Sequence, residues 1–143
     1  MTRIFLVTNV LFDFFAEREP FDKEAEEIME LAYEQEIELS CSAISYTTIF
    51  YLLAKMKGKT KAFMAMKDMR ELIKTIAVDD LIIDKALQNQ QPDFEDSIQL
   101  ECAYTIHELH SIVTRNPKHF KSKDILIQTP KEFLDAFNTR LHE

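Results

Sequence analysis

Three short segments carry the residue types that handle divalent cations and phosphates: Val7-Thr8-Asn9, Asp93-Phe94-Glu95-Asp96 and Thr114-Arg115-Asn116. On one rim they would gather the carboxylates of Asp93, Glu95 and Asp96 with neutral oxygen donors from Asn9 and Asn116. That set suits a hard cation such as Mg²⁺ or Mn²⁺. The same residues also have a plainer reading. An aspartate ahead of a helix with a carboxylate three residues later is a helix cap, Glu95 is a solvated first-turn acid, and Asn9 and Asn116 are turn formers at strand ends.

Positive charge falls in two runs, one spanning Lys55 to Lys74 and one comprising Arg115, Lys118, His119, Lys121 and Lys123. Either could contact phosphate or simply be a solvated face; the second lies beside the proposed acidic rim. Lys and Arg total 17 against 25 for Asp and Glu, a net charge of −8, so any RNA contact must rely on such local patches. His107, His110, His119 and His142 show no metal or triad spacing, which predicts surface positions. Cys41 and Cys102 lack the spacing of a zinc site or disulfide framework and read as buried thiols of a cytoplasmic protein. The single glycine, Gly58, excludes the Gly-rich phosphate loops of dinucleotide-binding and P-loop proteins.

These segments must be positioned by alternating strands and helices. Apolar or β-prone runs predict strands at Arg3 to Val7, Glu38 to Ser42, Thr75 to Val78, Ser111 to Thr114 and Ile125 to Gln128. Helical stripes cover Phe21 to Gln35, Ile44 to Met56 (closed by Gly58) and Ala62 to Ile73, and the last two could form a projecting arm at 44–74. Asp79 and Asp80 open a helix to Leu87. Another runs from Phe94 to about His110, and Pro130 starts a closing helix through Phe137. The expected fold is one α/β domain over residues 1–143, a three-layer α/β/α sandwich on a mainly parallel sheet of about five strands. The apolar start at Ile4 is broken by Asn9 and Asp13 and has no cleavage site after it. It therefore reads as a buried strand and following helix, and no run is long enough to span a membrane.

The order of these motifs resembles the PIN-domain family, in particular the VapC-like toxins of type II toxin–antitoxin systems. Arg3 to Asp13, with Val7-Thr8-Asn9, resembles the opening motif, normally Asp-Thr-Asn. Pro92-Asp93-Phe94-Glu95-Asp96 followed by Ala103, then Ile112 to Asn116 with Phe120, then Thr129 to Leu134, resembles the back half in order and spacing. The resemblance implies a metal-dependent endoribonuclease, in which carboxylates hold Mg²⁺ or Mn²⁺ to activate water and neutralise the transition state. It also implies an RNA substrate, a cognate antitoxin and a homodimer.

Carried over by position, the first metal-binding aspartate falls on Val7, which has no side-chain oxygen, and a usual glutamate falls on Thr48. Asp96 is retained with Asp93 close by, and the fourth position falls on Asn116. Asp96 and Asp93 are then the implied metal ligands. Asn9 and Asn116 join them as catalytic candidates, and Thr114, Arg115 and Lys118 are the candidates for RNA contact. The expectation is a nuclease scaffold inactive or impaired through Val7, or alternatively a catalytically dead binding module for an antitoxin or for its own copy. Val7 itself has two explanations, a natural degenerate toxin or a codon change selected during cloning against a poisonous enzyme; the intact Thr8, Asn9, Asp93 and Asp96 favour the second.

Overall fold

The computed structural model describes residues 1–122 and 124–141, and of Leu141 the backbone alone. Lys123 of the second basic run and His142 lie outside the described residues.

Strands β1 (Thr2–Leu6), β2 (Ile37–Ser42), β3 (Lys74–Ile76), β4 (Leu109–Val113) and β5 (Leu126–Gln128) form one sheet in the order β3-β2-β1-β4-β5, with every neighbouring pair parallel. Ile4, Phe5 and Leu6 of β1 and Leu39 and Cys41 of β2 are buried, as expected of strands covered by helices on both faces. The helices are α1 (Thr8–Phe15), α2 (Asp22–Tyr33), α3 (Ala43–Lys57), α4 (Lys59–Leu72), α5 (Asp80–Gln88), α6 (Phe94–Tyr104) and α7 (Pro130–Leu141). One group joins α2 to α1 and α7; the other joins α6 to α5 and to β2 and β4. Gly58, at φ 91°, separates α3 from α4 in a conformation that residues with a Cβ rarely adopt.

The chain steps from β1 to β2 on one side and later returns to β4 on the other. Such a reversal of strand order leaves a crevice beyond the carboxyl ends of the central strands. Here the Val7 amide donates to the Val113 carbonyl (3.2 Å) just past the pair Leu6 and Val113.

The helix predicted from Phe94 to about His110 stops at Tyr104, and His110 lies on β4. Thr105 Oγ1 donates to the Cys102 carbonyl (2.7 Å), and Glu108 turns the chain at φ 54°. Glu17 (φ 55°) and Gln35 (φ 62°) make comparable left-handed turns. None of the three is Gly or Asn, the residues that usually mark such turns in a sequence, so this boundary was invisible to composition.

Candidate functional site

A cleft of about 510 Å³ opens at the predicted crevice, between the start of α1, the first turns of α3 and the start of α6. Val7 is extended (φ −79°, ψ 164°) and its carbonyl accepts the amides of Val10 (3.2 Å) and Leu11 (3.4 Å), so it occupies the cap position of α1. Its isopropyl group, 2% exposed, offers no side-chain acceptor to the orphan amides of the first turn. Gln99 of α6 meets one of them instead: its Oε1 accepts from Thr8 N at 3.0 Å. The Thr8 hydroxyl donates to Glu95 Oε1 (2.9 Å) and lies 2.8 Å from Ser45 Oγ. With one proton to give, Thr8 donates to the nearer acceptor, Glu95 Oε1, rather than to Gln99 Oε1 at 3.3 Å, which leaves Ser45 to donate to Thr8. A polar network therefore ties α1, α3 and α6 together across the cleft floor.

The acids along the start of α6 are already engaged. Asp93 Oδ1 accepts the Glu95 amide (2.8 Å) as the N-cap of α6, which is the plainer of the two readings of this residue. Replacing Asp93 by alanine is expected to cost about 1 kcal/mol in thermal or urea unfolding, the usual worth of a cap. Asp96 is pushed up to about 6, chiefly by burial, with Asp93 and Glu95 adding repulsion and His119 partly offsetting it. His119 Nδ1 stands 3.8 Å from Asp96 Oδ2.

Because the folded state holds this proton more tightly than the unfolded state, Asp96 lowers stability as pH rises from the ordinary carboxylate range to about 6. An Asp96→Asn variant should therefore melt above the parent at pH 7 and converge with it near pH 4. Equal differences at both pH values would contradict this.

A second cluster adjoins the cleft along α1. Asn9 and Asp13, one turn apart, face the loop after β4. Asn9 Oδ1 accepts the Arg115 amide (3.3 Å), and Asn9 Nδ2 donates to Thr114 Oγ1 (3.4 Å), which in turn accepts the Asn116 amide (3.1 Å). Asp13 is 1% exposed; Arg115 Nε makes a short charge-assisted hydrogen bond to it, and Arg18 Nη1 lies 3.8 Å away. Both guanidiniums sit over aromatic rings, Arg115 on Phe21 at 4.3 Å and Arg18 on Phe12 at 5.3 Å. Burial still pushes the Asp13 carboxyl above its ordinary range, outweighing the attraction of Arg115.

Val7, Asn9, Asp93 and Asp96 thus share the cleft, whereas Asn116 and Lys118 are exposed on the adjoining loop and do not line it. Thr114 is buried and serves the backbone, and Arg115 is committed to Asp13. His119, read from spacing as an ordinary surface histidine, lines the cleft beside Asp96. Asp13, Arg18, Ser45 and Gln99 were missed altogether. A carboxylate at position 13 inside the run Val10 to Phe15 was the available signal, since a buried acid needs a partner.

Whether the residues present suit a divalent ion is decided by the donor set. Among the described residues, no group of three or more His, Cys, Asp or Glu side chains is placed to hold a metal. Val7 contributes no oxygen, Asp93 is used as a cap, Glu95 is held by Thr8, and Asp96 faces a histidine. This set does not fit Mg²⁺ or Mn²⁺, which need several unencumbered hard oxygens.

Comparisons place this geometry among known proteins. The chain is 28% identical over 142 residues, 96% of each chain, to a protein of Aquifex aeolicus (strain VF5) named Ribonuclease VapC1. Its fold is similar to a chain of a toxin–antitoxin complex from Klebsiella pneumoniae, with TM-score 0.66 and 23% identity, covering 89% of this chain and 97% of that one. It is likewise similar to a chain of DNA-bound VapBC from Salmonella typhimurium, with TM-score 0.67 and 16% identity, covering 91% and 99%. A PIN domain matches residues 3–118, so this α/β chain, with its crevice at the ends of β1 and β4, belongs to the PIN-domain family.

Proposed function

We propose that the chain is a VapC-like endoribonuclease scaffold in which metal-dependent hydrolysis is disabled at Val7. One observation carries the reading: an apolar, almost fully buried side chain stands at the head of α1, where the cleft's acids converge and where hydrolysis would call for an oxygen. The family membership and the name of the Aquifex relative support RNA as the substrate class. Lys118, exposed on the loop adjoining the cleft, and Arg18, which lines the cleft 3.8 Å from Asp13, are the candidates to meet the RNA backbone, whereas Arg115 serves as a positioning residue through Asp13.

An antitoxin partner is the companion proposal, supported by relatives solved as toxin–antitoxin complexes. It favours a second reading, in which binding is the surviving output. Tyr51, Met56, Phe63 and Met64 on α3 and α4 are large apolar residues left exposed, as a docking or self-association surface requires.

The test is calorimetric titration of Mn²⁺, followed by an RNA cleavage assay, on this protein and on a Val7→Asp version. Binding and cleavage in the aspartate version alone are expected. Neither activity in two folded proteins would overturn the nuclease reading and leave the binding module.

A further inference from the structure

The first basic run gathers on the hairpin of α3 and α4. From Ala43 to Lys67 the chain holds five lysines and no Asp or Glu, although acids outnumber Lys and Arg by 25 to 17 over the whole sequence. A merely solvated helix face mixes the two signs, because acid and lysine one turn apart stabilise each other. Helix α2 shows the opposite segregation, with Asp22, Glu24, Glu26, Glu27 and Glu30 around a single Lys23. A polyanion is therefore repelled from α2 and drawn to the hairpin.

A second observation is independent of charge. Tyr51 and Phe63 are each 58% exposed, yet both rings are held: Lys55 Nζ sits 4.3 Å from the Tyr51 centroid, and the Phe50 ring packs 4.7 Å from that of Phe63. A ring fixed in place but open to water adds little to the core and is ready to stack on a base.

Spacing joins the cations to the rings and both to the cleft. On α4, Lys59, Phe63 and Lys67 follow at four-residue intervals, so one exposed face repeats cation, ring, cation about 6 Å apart along the axis. Among the described residues neither Lys59 nor Lys67 has an ion-pair partner. On α3, Thr48 and Leu52 line the cleft; Tyr51 and Lys55, each three residues further on, continue that face beyond it.

We propose that this face binds single-stranded RNA flanking the segment held in the cleft, with Tyr51 and Phe63 stacking on bases and Lys55, Lys59 and Lys67 meeting phosphates. The inference rests on RNA as the substrate class, and it needs neither a metal nor an oxygen at position 7. Stacking requires unpaired bases, so a single strand is preferred to a duplex.

The experiment is fluorescence anisotropy of a labelled, unstructured RNA of about 12 nucleotides with the full chain, over about 50 to 200 mM salt. Duplex RNA and inorganic polyphosphate serve as competitors and should both compete less well than the unlabelled strand. Three phosphate contacts give a slope of log affinity against log salt of about −2. Phe63→Leu, which keeps an apolar side chain against Phe50, and Tyr51→Leu should each weaken binding about fivefold or more and leave the slope unchanged. Lys59→Gln and Lys67→Gln, at exposed positions where folding is not at risk, should each flatten the slope by about 0.7. Lys85→Gln on α5 should change neither quantity.

Absence of binding at the lower salt overturns the proposal, as does equal binding by the parent and all four hairpin variants. Losses confined to the lysine variants, or polyphosphate competing as well as RNA, mark a charged surface without base stacking and overturn it too. Ring variants that alter the sedimentation of the RNA-free protein but not its RNA affinity assign the face to contact between two copies of the chain instead. A Val7→Asp version that cleaves RNA with a KM indifferent to the hairpin variants leaves the nuclease reading standing and overturns this one. RNA binding that depends on the hairpin, with no cleavage by the Val7→Asp version, does the reverse.

Discussion

A Val7→Asp substitution is expected to make the melting temperature respond to Mn²⁺, where the parent shows no response. Two opposing effects act before any metal is added. An aspartate in the cap position of α1 supplies the acceptor that valine lacks, worth about 1 kcal/mol. Placing a carboxylate at a site 2% exposed, close to Asp96 and Glu95, costs roughly 1–3 kcal/mol without a compensating partner. The metal-free variant should therefore be equal to or slightly less stable than its parent.

Adding Mn²⁺ then stabilises only the variant, by about 2.7 kcal/mol at a hundredfold excess over the dissociation constant. RNA cleavage should rise from background over the same concentration range. Removing the metal with a chelator should reverse both effects, and a variant that melts at one temperature at every Mn²⁺ concentration would contradict the argument. Adding His119→Asn should sharpen the response, since it removes the imidazole that stands 3.8 Å from Asp96 Oδ2.

The second large effect is expected at Arg115. An Arg115→Met change leaves the Asp13 carboxylate 1% exposed with Arg18 Nη1 at 3.8 Å as its nearest described cation, beyond hydrogen-bond reach. Breaking a buried pair from one side costs about 3–5 kcal/mol. The lower end applies here because the Arg115 side chain is itself 23% exposed. Against a domain stability of ~5–15 kcal/mol, that places the variant close to the unfolding threshold.

Joining Asp13→Leu to Arg115→Met removes both charges and should recover most of the loss, because well-packed apolar residues of similar volume often match a buried ion pair. Urea unfolding of the two single variants and the double variant measures the coupling. Additive losses would show that the two residues do not act as a unit.

Much of this molecule was decided by local sequence. The apolar runs at Ile4 to Val7 and Leu39 to Cys41, alternating with amphipathic stretches, specify a buried parallel sheet because strands covered on both faces need no polar side. Pro130 and the Ser42, Asp79 and Asp93 caps mark helix starts, since orphan amides demand an acceptor or a missing N–H. The loss at Val7 was likewise legible, because no fold gives a valine side chain an oxygen.

Only tertiary structure decided which polar residues meet. Asp13 and Arg115 are 102 positions apart, and Thr8 reaches Glu95 and Gln99 across 87 and 91 positions. Spacing along the chain carries no record of such pairs. They arise because the strand order brings the ends of β1 and β4 together and α6 packs against β2 and β4, so burial selects the partner and the partner sets the role. By the same route His119, rather than Asn116, came to stand in the cleft.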